Sequence, residues 1–421
     1  MSAFPIDAAV MSKTTLPGVP LKIALVILHA DAHKGGAERY TLQIAHALAG
    51  RGHQVSLLAT THAEPVAGVN PVVLQAGGRT KTARYLGFLK RLDEFLAEHP
   101  CDIVHAMLPV RRCDLYHPHA GLATEALAKG HLKHANTLVR GLSWLCNQAN
   151  SRRRAYAATE TEMLKEPDAP GILCLSEYVK AAVRRRFFLP EHKLHTLFNA
   201  VDLDVFAPGG DPSVRGTLRE RFGIGSQEPV GLMVAQDFAR KGLAEVIQAI
   251  AQLPRNSMRL LVIGKDDPAR YRRQAKLAGL QDAVVFAGPT SDVRPFYRAA
   301  DFMVMPTRHD PCSLVVLEAL AMGVPVISTR FNGACEIMTD GTHGCVLADP
   351  GDISTLASAM RGMLDPQQRE TMSVACLALR LRLDFNSHID QLLAIYRGVK
   401  SARDRRAQSA PAQSRQPAIA Q

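Results

Sequence analysis

Little in this sequence would direct the chain into a membrane or cross-link it. No segment approaches the run of about 18 uncharged apolar residues that a membrane-spanning helix needs, and the N-terminus lacks the basic start and apolar run of a signal peptide. The eight cysteines form no C-x-x-C pair and no Cys/His spacing typical of a structural zinc site. We therefore expect reduced thiols and a cytoplasmic chain that is neither secreted by that route nor integral to a membrane.

The composition is that of a multidomain globular protein with an excess of positive charge. At 421 residues the chain is long enough for two or three domains of about 150 residues. Apolar residues make up 47% and charged residues 21%, which allows substantial buried cores. Fifty Lys and Arg against 39 Asp and Glu leave a net charge of +11. This excess favours an anionic partner: nucleic acid, an acidic lipid surface or a phosphorylated small molecule.

Short apolar runs alternate with helix-length segments along most of the chain. KIALVILHA (22–30) is typical of a strand buried on both faces, ERYTLQIAHALAGRG of a helix that ends at glycine, and QVSLLAT (54–60) of the next strand. The pattern restarts at residue 230 with VGLMVA, MRLLVIG, AVVFAG, DFMVMP, VPVIS and GCVLA. It predicts an α/β protein with two Rossmann-like, doubly wound domains that face each other across a cleft, where ligands would bind beyond the carboxyl ends of the strands.

The same segments predict the domain organisation. Residues 1–20 are a ragged N-terminus, 21–200 an N-terminal Rossmann-like domain, and 201–380 a C-terminal one that begins with the linker VDLDVFAPGGDPS (201–213). Residues 381–400 form a C-terminal helix that could pack back on the N-terminal domain. Residues 401–421 contain almost nothing that could anchor a core, so they are predicted to be a disordered basic tail.

Two adjacent glycines, Gly35 and Gly36, follow the first strand and precede Glu38 and the first helix. Glycine lets the backbone approach a ligand closely, and the free N–H groups of a helix N-terminus attract an anion. A tight strand-to-helix turn would explain the same residues. The spacing is not the G-x-G-x-x-G of dinucleotide-binding enzymes, which argues against a nicotinamide-dependent dehydrogenase.

Two adjacent cations, Arg240 and Lys241, occupy the loop between the strand VGLMVA and the helix LAEVIQAIAQL. Such a pair is ordinarily solvated surface. Here it lies at the carboxyl edge of a predicted sheet beside a helix N-terminus, where a phosphate would be attracted. An Arg and a Lys together suit a diphosphate, because one makes a forked contact and the other a point contact.

The segment HDPCSLVVLEALAMGVPVIS contains a carboxylate on a helix that should be buried. The helix predicted from about Ser313 to Met322 is apolar nearly all round, and Glu318 is its only ionisable residue. A buried carboxylate without a partner costs several kcal/mol, so a hydroxyl-rich or cationic partner is expected, with a structural salt bridge as the alternative. Asp310, followed by Pro311, is also typical of a helix N-cap and first position. The two carboxylates are too far apart in sequence to form an acid/base pair on one helix face. We expect them to bind different parts of one ligand.

Together these residues resemble a known family. GGAER after the first strand, Arg240-Lys241-Gly242 in a strand-to-helix loop, and a carboxylate separated by seven residues from Glu318 are similar to the motifs of the retaining glycosyltransferases of family 4, which have the GT-B fold. The resemblance covers about residues 22–400. Within the family, DLYHPHAG and the basic tract after it look most like the lipopolysaccharide core glucosyltransferases.

The resemblance implies a role for each motif. Glu318 would bind the ribose hydroxyls of a nucleotide-sugar, and Arg240 and Lys241 would bind its diphosphate, assisted by backbone N–H groups near Ser313 and Leu314. The loop with Gly35 and Gly36 would also border the donor. No cofactor is implied, and the donor would be a nucleoside diphosphate sugar, with UDP as the nucleotide.

One position departs from the family. The first carboxylate is normally Glu and here it is Asp310. The family uses this residue to hold the hexose hydroxyls, so the shorter side chain bears on which sugar is transferred.

The tract RRCDLYHPHAG (111–121) carries Asp114, His117 and His119. Family 4 enzymes often have a histidine at such a strand end that reaches the donor sugar, and His119 is the better match. Histidines two apart on a strand share a face and could be metal ligands, but no third ligand has a convincing spacing, and no metal is implied. His117 is equally well explained as a structural histidine.

Residues 129–154 contain six Lys or Arg and no acid, with Trp144 among Leu138, Val139, Leu142 and Leu145. This pattern is typical of a helix that lies in an anionic membrane interface. A solvated basic helix that packs its apolar side on its own domain is the alternative. Nucleic acid is not expected, because no recognised binding motif accompanies the charge.

These observations predict a retaining hexosyltransferase that uses a nucleoside diphosphate sugar and acts on a glycan or glycolipid, in lipopolysaccharide core or related surface glycan synthesis. It would be cytoplasmic, with the inner face of the cytoplasmic membrane as a candidate docking surface. A nucleotide-sugar epimerase of similar fold and a non-catalytic sugar-nucleotide binding protein are the alternatives.

Overall fold

The computed structural model describes residues 19–129, 149–165, 167 and 169–409. The chain divides into two compact units. The first comprises the described residues of 1–108, 112–115 and 400–421, and the second comprises the described residues of 109–111 and 116–399. The domain boundaries given above rest on strand and linker patterns and remain predictions.

The first unit is a parallel α/β fold. Its elements are β1 (Lys22–Val26), α1 (Gly36–Gly50), β2 (Gln54–Ala59), β3 (Val69–Val73), α2 (Lys81–Glu98) and β4 (Ile103–Ala106). The strands lie in the parallel order β3-β2-β1-β4. The regular strand ends at Val26, earlier than the predicted 22–30, although Ile27 still donates to the Leu58 carbonyl at 3.1 Å and Ala30 forms an isolated bridge with His62. A two-residue strand, β5 (Leu115–Tyr116), lies where the two units divide the chain.

The second unit contains the remaining elements. They are α3 (Ala123–Lys129), α4 (Ser151–Met163), β6 (Gly171–Cys174), α5 (Glu177–Arg186), β7 (Leu194–Thr196), α6 (Ser213–Arg221), β8 (Val230–Val234), α7 (Leu243–Ile250), β9 (Arg259–Ile263), α8 (Ala269–Leu277), β10 (Val284–Gly288), α9 (Arg294–Ala299), β11 (Phe302–Val304), α10 (Leu314–Ala321), β12 (Val326–Thr329), β13 (Gly344–Leu347), α11 (Ile353–Gly362), α12 (Pro366–Ala378) and α13 (Phe385–Ser409), which ends in the first unit.

Strands β8 to β13 form a parallel sheet in the order β10-β9-β8-β11-β12-β13. The central strands β8, β9, β11 and β12 are almost entirely buried, which is why they are continuous apolar runs in the sequence. The six strands predicted after residue 230 are all present, so this part of the fold prediction is confirmed.

The predicted tail is partly helical, because α13 continues to Ser409. Within the first unit, Lys400 Nζ lies 3.6 Å from an Asp102 carboxylate oxygen, and Arg403 donates to Asp114 over 2.9 Å. Lys400 also pairs with Asp404 one turn later, at 2.8 Å. These partners hold the helix beyond residue 400, so the prediction of disorder is wrong for residues 401–409. Residues 410–421 lie outside the described part of the chain.

Candidate active site

The winding of the second sheet reverses between β8 and β11. From β8 the chain passes outward to β9 and β10, then returns to β11 on the other side of β8 and continues to β12 and β13. The loops after β8 and β11 therefore leave in opposite directions and open a crevice at the carboxyl edge of the sheet, which is where open α/β sheets bind ligands. The first loop carries the predicted cations, and the second carries Asp310 and leads into α10, on which Glu318 lies.

The loop after β8 is a compact turn held by its own backbone. Asp237 accepts the Arg240 N–H through its carboxylate at 3.0 Å and the Lys241 N–H through its carbonyl at 3.1 Å. Gly242 then adopts a φ of 83°, and a Cβ at this position would lie 2.5 Å from the carbonyl oxygen of Pro306. Only glycine fits this left-handed conformation and close approach, so Gly242 determines how the two cations are presented.

Lys241 and Asp310 form a buried ion pair across the two loops. Their residues are 6% and 8% exposed, and Lys241 Nζ donates to Asp310 Oδ2. Arg240 lies on the more open side, where its Nη1 donates to the carbonyl of His309 at 2.7 Å and is 3.9 Å from Asp310 Oδ2. The structure therefore brings Arg240, Lys241 and Asp310 together, as the sequence predicts.

The charges of this cluster stabilise one another. Burial alone would raise the pKa of Asp310, but the neighbouring charges of Lys241 and Arg240 hold it below its ordinary value. Burial lowers the pKa of Lys241, and the Asp310 charge opposes that shift. Asp310 is therefore the ionised carboxylate beside two cations, Lys241 and Arg240.

The N-cap interpretation of Asp310 is wrong. Helix α10 begins at Leu314 with Ser313 as its N-cap, several residues beyond Asp310. The Asp310 backbone instead bridges to the segment after β12: its N–H donates to the Phe331 carbonyl at 2.8 Å, and its carbonyl accepts from Gly333 at 3.0 Å. The side chain is thus free of capping and turns toward Lys241.

Glu318 lies on α10 and is 6% exposed. The hydroxyl of Tyr297, itself buried, donates to Glu318 Oε2 at 2.8 Å. The expected hydroxyl partner is therefore present, but it comes from α9, 21 residues earlier in the chain. The Ser313 N–H donates to Asn332 Oδ1 at 3.2 Å, so this predicted ligand-binding amide has a protein partner. Leu314 begins the helix and is half-buried.

His119 follows β5 in a tight loop of the second unit. Within the loop the His119 N–H donates to the His117 carbonyl at 2.7 Å, and the two rings are 5.2 Å apart. Burial lowers the pKa of His119 to about 4, against the opposing influence of the Asp310 charge and the Asn199 side chain. His119 is thus a neutral imidazole near the carboxylate of the site. His117 is fully buried, as the structural alternative expects.

The backbone beyond His119 packs against the loop after β11. Gly121 has a φ of 88°, and a Cβ there would lie 2.9 Å from His309 Nε2. On the other side of the His309 ring, Nδ1 pairs with the Tyr178 hydroxyl at 2.7 Å. Asn199 donates to the Cys312 carbonyl at 2.8 Å. Residues 117–122, which we call the histidine loop, therefore pack directly against the loop after β11 that carries Asp310, within the second unit.

Gly35 and Gly36 lie in the first unit, at the start of α1. Gly35 has a φ of 176°, an extended conformation that any residue adopts, and a Cβ there would meet only the Glu38 carboxylate at 2.9 Å. The need for glycine is therefore not imposed by the backbone angle. The role of these glycines beside a ligand stays a prediction.

Sequence reasoning missed Tyr297 and Asn332, which hold Glu318 and the start of α10. Asn332 accepts N–H groups from Ser313 and Ala334, both at 3.2 Å, and donates to Ser328. A clue was available for Tyr297, a hydroxyl-bearing aromatic within RPFYRA directly before a buried strand. Asn332 carried no such signal, because its contacts join segments brought together only by the fold.

Most of the basic tract 129–154 lies outside the described residues, including Trp144. Its end is described: Asn150 caps α4, and the side chains of Arg152, Arg153 and Arg154 are exposed. None of the helices that the structure describes is long and apolar enough to cross a membrane.

Comparison with known proteins agrees with the fold and the motifs. The family model described as Glycosyltransferase Family 4 matches residues 34–205, and the model described as Glycosyl transferases group 1 matches residues 228–366. Together with the parallel sheets, these matches make the chain a glycosyltransferase of the GT-B type that belongs to the family 4 and group 1 glycosyltransferases. The family and fold predicted from the motifs are confirmed.

Several glycosyltransferases are similar to this chain over most of its length. Lipopolysaccharide glucosyltransferase WaaG of Escherichia coli (strain K12) is 26% identical over 336 residues, which cover 78% of this chain and 86% of WaaG. D-inositol 3-phosphate glycosyltransferase of Acidothermus cellulolyticus is 27% identical, with 92% of each chain covered. The crystal structure of WaaG, a glycosyltransferase involved in lipopolysaccharide biosynthesis, matches with a TM-score of 0.76 at 24% identity over 89% of this chain and 99% of that one.

Proposed function

We propose that the protein transfers a hexose from a UDP-sugar to a glycan or glycolipid acceptor, with retention of the anomeric configuration, in the synthesis of lipopolysaccharide core or a related surface glycan. The observation that carries the proposal is the buried Lys241–Asp310 pair with Arg240 beside it, at the carboxyl edge of the second sheet. The similarity to WaaG, a lipopolysaccharide glucosyltransferase, supports the acceptor class.

The two cations suit the diphosphate. Lys241 directly precedes Gly242 and the N-terminus of α7, so a bound diphosphate would meet an ammonium, a guanidinium and helix N–H groups together. Asp310 neutralises part of this positive charge, and its charge opposes the lowering of the Lys241 pKa by burial. The cluster can thus attract an anion without leaving the buried cation of Lys241 unpaired.

The remaining side chains would hold the two ends of the donor. Glu318 accepts the Tyr297 hydroxyl through Oε2, and the ribose hydroxyls would donate to the same carboxylate. Asp310 and the neutral His119 would contact the hexose. The short Asp310 side chain is drawn toward Lys241, so it would reach less far toward the sugar than a glutamate.

The reaction would proceed on one face of the sugar. The bond between C1 and the diphosphate oxygen breaks, and the departing charge is stabilised by Arg240, Lys241 and the N–H groups of α7. The acceptor hydroxyl attacks C1 from the same side, and its proton passes to the departing diphosphate oxygen. No enzymic nucleophile is needed, and His119, with a pKa of about 4, would act as a neutral hydrogen-bond partner of the sugar.

The test is transfer by the purified protein from UDP-glucose, UDP-galactose, UDP-N-acetylglucosamine and GDP-mannose to truncated lipopolysaccharide cores and to inositol 3-phosphate. Proton NMR of the product gives the anomeric configuration. We expect transfer from a UDP-hexose to a core acceptor with retention. An inverted product would refute the mechanism, epimerisation without acceptor would assign an epimerase, and tight donor binding without turnover would assign a binding protein.

A further inference from the structure

Glu160, on the third turn of α4, is a fully buried carboxylate outside the cluster described above. It accepts the Tyr116 hydroxyl at 2.6 Å and the Ala123 N–H at 2.8 Å through Oε1, and the Thr124 N–H at 2.8 Å through Oε2. Both oxygens are therefore used, and every donor belongs to one short stretch of chain.

The donors bracket the loop that carries His119. Tyr116 ends β5, and Ala123 and Thr124 begin α3, so the six residues 117–122 run between two points attached to the same carboxylate. Two short hydrogen bonds within the loop, from His119 to His117 and from Gly121 to Pro118, leave it little freedom of its own. The distance between the ends of the loop, and with it the direction of the His119 ring, depends on Glu160.

Position 160 requires a carboxylate, and another polar side chain would not serve. Burial raises the pKa of Glu160, while the hydrogen bonds from Tyr116, Thr124 and Ala123 oppose that rise. A glutamine has the same shape, but its NH₂ group would face one of the three donors, so at least one buried N–H or O–H would lose its acceptor. Burial of a carboxylate at this position costs free energy. Its three hydrogen bonds fix the geometry of the loop 117–122 in return.

We propose that Glu160 is a positioning residue that holds the histidine loop, and through it His119, in register with Asp310. This inference rests on the proposed function, because it assumes that His119 contacts the donor sugar. Glu160 itself lies behind the loop and would touch neither substrate.

The kinetic test uses Glu160→Gln, with Tyr116→Phe as a milder variant that removes one donor and no charge. Misplacing a contact group by about 1 Å costs up to about 100-fold in rate, so we expect kcat to fall between ~10- and ~100-fold in Glu160→Gln and less in Tyr116→Phe. UDP affinity, measured by calorimetry, should change less than about twofold, since the diphosphate and ribose contacts lie elsewhere. In a His119→Ala background, Glu160→Gln should cause no further loss of kcat.

Asp301→Asn is the matched control. Asp301 is also a carboxylate with little exposure, its side chain being 12% exposed, and it accepts the Val230 N–H at 2.7 Å. It pairs with Arg215 at 2.6 Å and Arg219 at 2.8 Å, at the amino edge of the second sheet. We expect it to lower thermal stability while kcat measured below the transition stays within about twofold. If Asp301→Asn lowers kcat as much as Glu160→Gln, or if the Glu160 effect is additive with His119→Ala, Glu160 is only structural.

A readout independent of turnover separates this inference from the proposed function. The protein is labelled at histidine, and the NMR signal of His119 is assigned as the one that disappears in His119→Ala. Relative to the wild type, this signal should shift in Glu160→Gln and stay in place in Asp301→Asn. An unmoved signal overturns the inference even in an active transferase. If the protein transfers no sugar but the signal moves, the proposed function fails and the positioning of His119 stands.

Discussion

Replacing Lys241 with Met tests the two roles of its ammonium separately: binding of the donor diphosphate and the ion pair with Asp310. The substitution keeps a buried unbranched side chain but removes the cation that pairs with Asp310. The donor diphosphate then loses a charge-assisted contact, and Asp310 becomes a buried carboxylate with one cation fewer. The first loss affects turnover and the second affects folding, so the two can be measured apart.

The magnitudes follow from the burial of the pair. A hydrogen bond to a charged group contributes about 1.5–3 kcal/mol, and this one strengthens as charge develops on the departing diphosphate. At about 1.4 kcal/mol per factor of ten, turnover should fall about 10- to 150-fold. Removing one partner of a buried pair costs about 3–5 kcal/mol, so the free energy of unfolding should drop by that order. Arg240 is more exposed, and Arg240→Ala should lower turnover by at least about tenfold with a smaller loss of stability.

The control is the double variant Lys241→Met/Asp310→Asn, which removes both charges and leaves no unpaired buried ion. Denaturant unfolding should show most of the lost stability recovered, while initial rates of sugar transfer should remain low. Recovery of turnover in the double variant would refute the reasoning, because Lys241 would then serve only to neutralise Asp310. Unchanged turnover in the single variant would refute the diphosphate assignment itself.

The same pair gives a pH dependence of stability. Lys241 and Arg240 hold the pKa of Asp310 below its ordinary value of 3.8 in the folded protein. A depressed carboxylate contributes stability above its unfolded pKa and loses it as pH falls through the folded value. The wild type should therefore lose this contribution only below about pH 4. Asp310→Asn should lack that part of the acid-induced loss, which unfolding measured from neutral pH down to about pH 2 would detect.

Three further predictions concern the rest of the site. Glu318→Gln should weaken donor binding in calorimetry with little change in melting temperature, and a large fall in stability at constant affinity would make Glu318 purely structural. Gly242→Ala should lower both stability and turnover, because its Cβ would meet the Pro306 carbonyl, whereas Gly279→Ala, with a similar φ of 71° and open space, should cost only about 1 kcal/mol of stability. When Ser replaces the exposed Arg152, Arg153 and Arg154, binding to anionic vesicles should weaken by about 1 kcal/mol per residue and should be salt-sensitive in the wild type. Co-sedimentation measures this binding, with neutral vesicles as the control. Equal pelleting with both vesicle types would remove the membrane role.

The second sheet was predictable from sequence because its central strands are buried on both faces. Such a strand must be a continuous apolar run, so β8, β9, β11 and β12 are visible as VGLMV, RLLVI and their equivalents. The two-residue β5 and three-residue β7 are too short to carry such a pattern. The extension of α13 past residue 400 was missed because polar partners rather than an apolar stripe hold it, and those partners, Asp102 and Asp114, lie far away in sequence.

The candidate site was predictable in its residue types and only partly in its contacts. Arg240, Lys241 and Asp310 stand at loop positions that parallel-strand topology must bring together, so their proximity follows from the order of strands. That Lys241 would pair with Asp310 does not follow, because the pairing depends on the turn made at Gly242. Glu160 was not singled out from the sequence, although it shares a helix face with Ala157 and Met163, both buried. That stripe was the signal that could have found it.

Helix α13 also bears on the order in which the protein can be assembled during synthesis. The first unit is discontinuous: residues 400–409 complete it, and the contact between Arg403 and Asp114 spans 289 residues of sequence. A ribosome releases the chain from its N-terminus, so β1 to β4 emerge long before this last segment exists. Before residues 400–403 are synthesised, Asp102 and Asp114 can accept backbone N–H groups from Lys22 and Val104, both at 2.8 Å, but they lack the cationic partners Lys400 and Arg403. Completion of the first unit is therefore a late event that follows synthesis of the second.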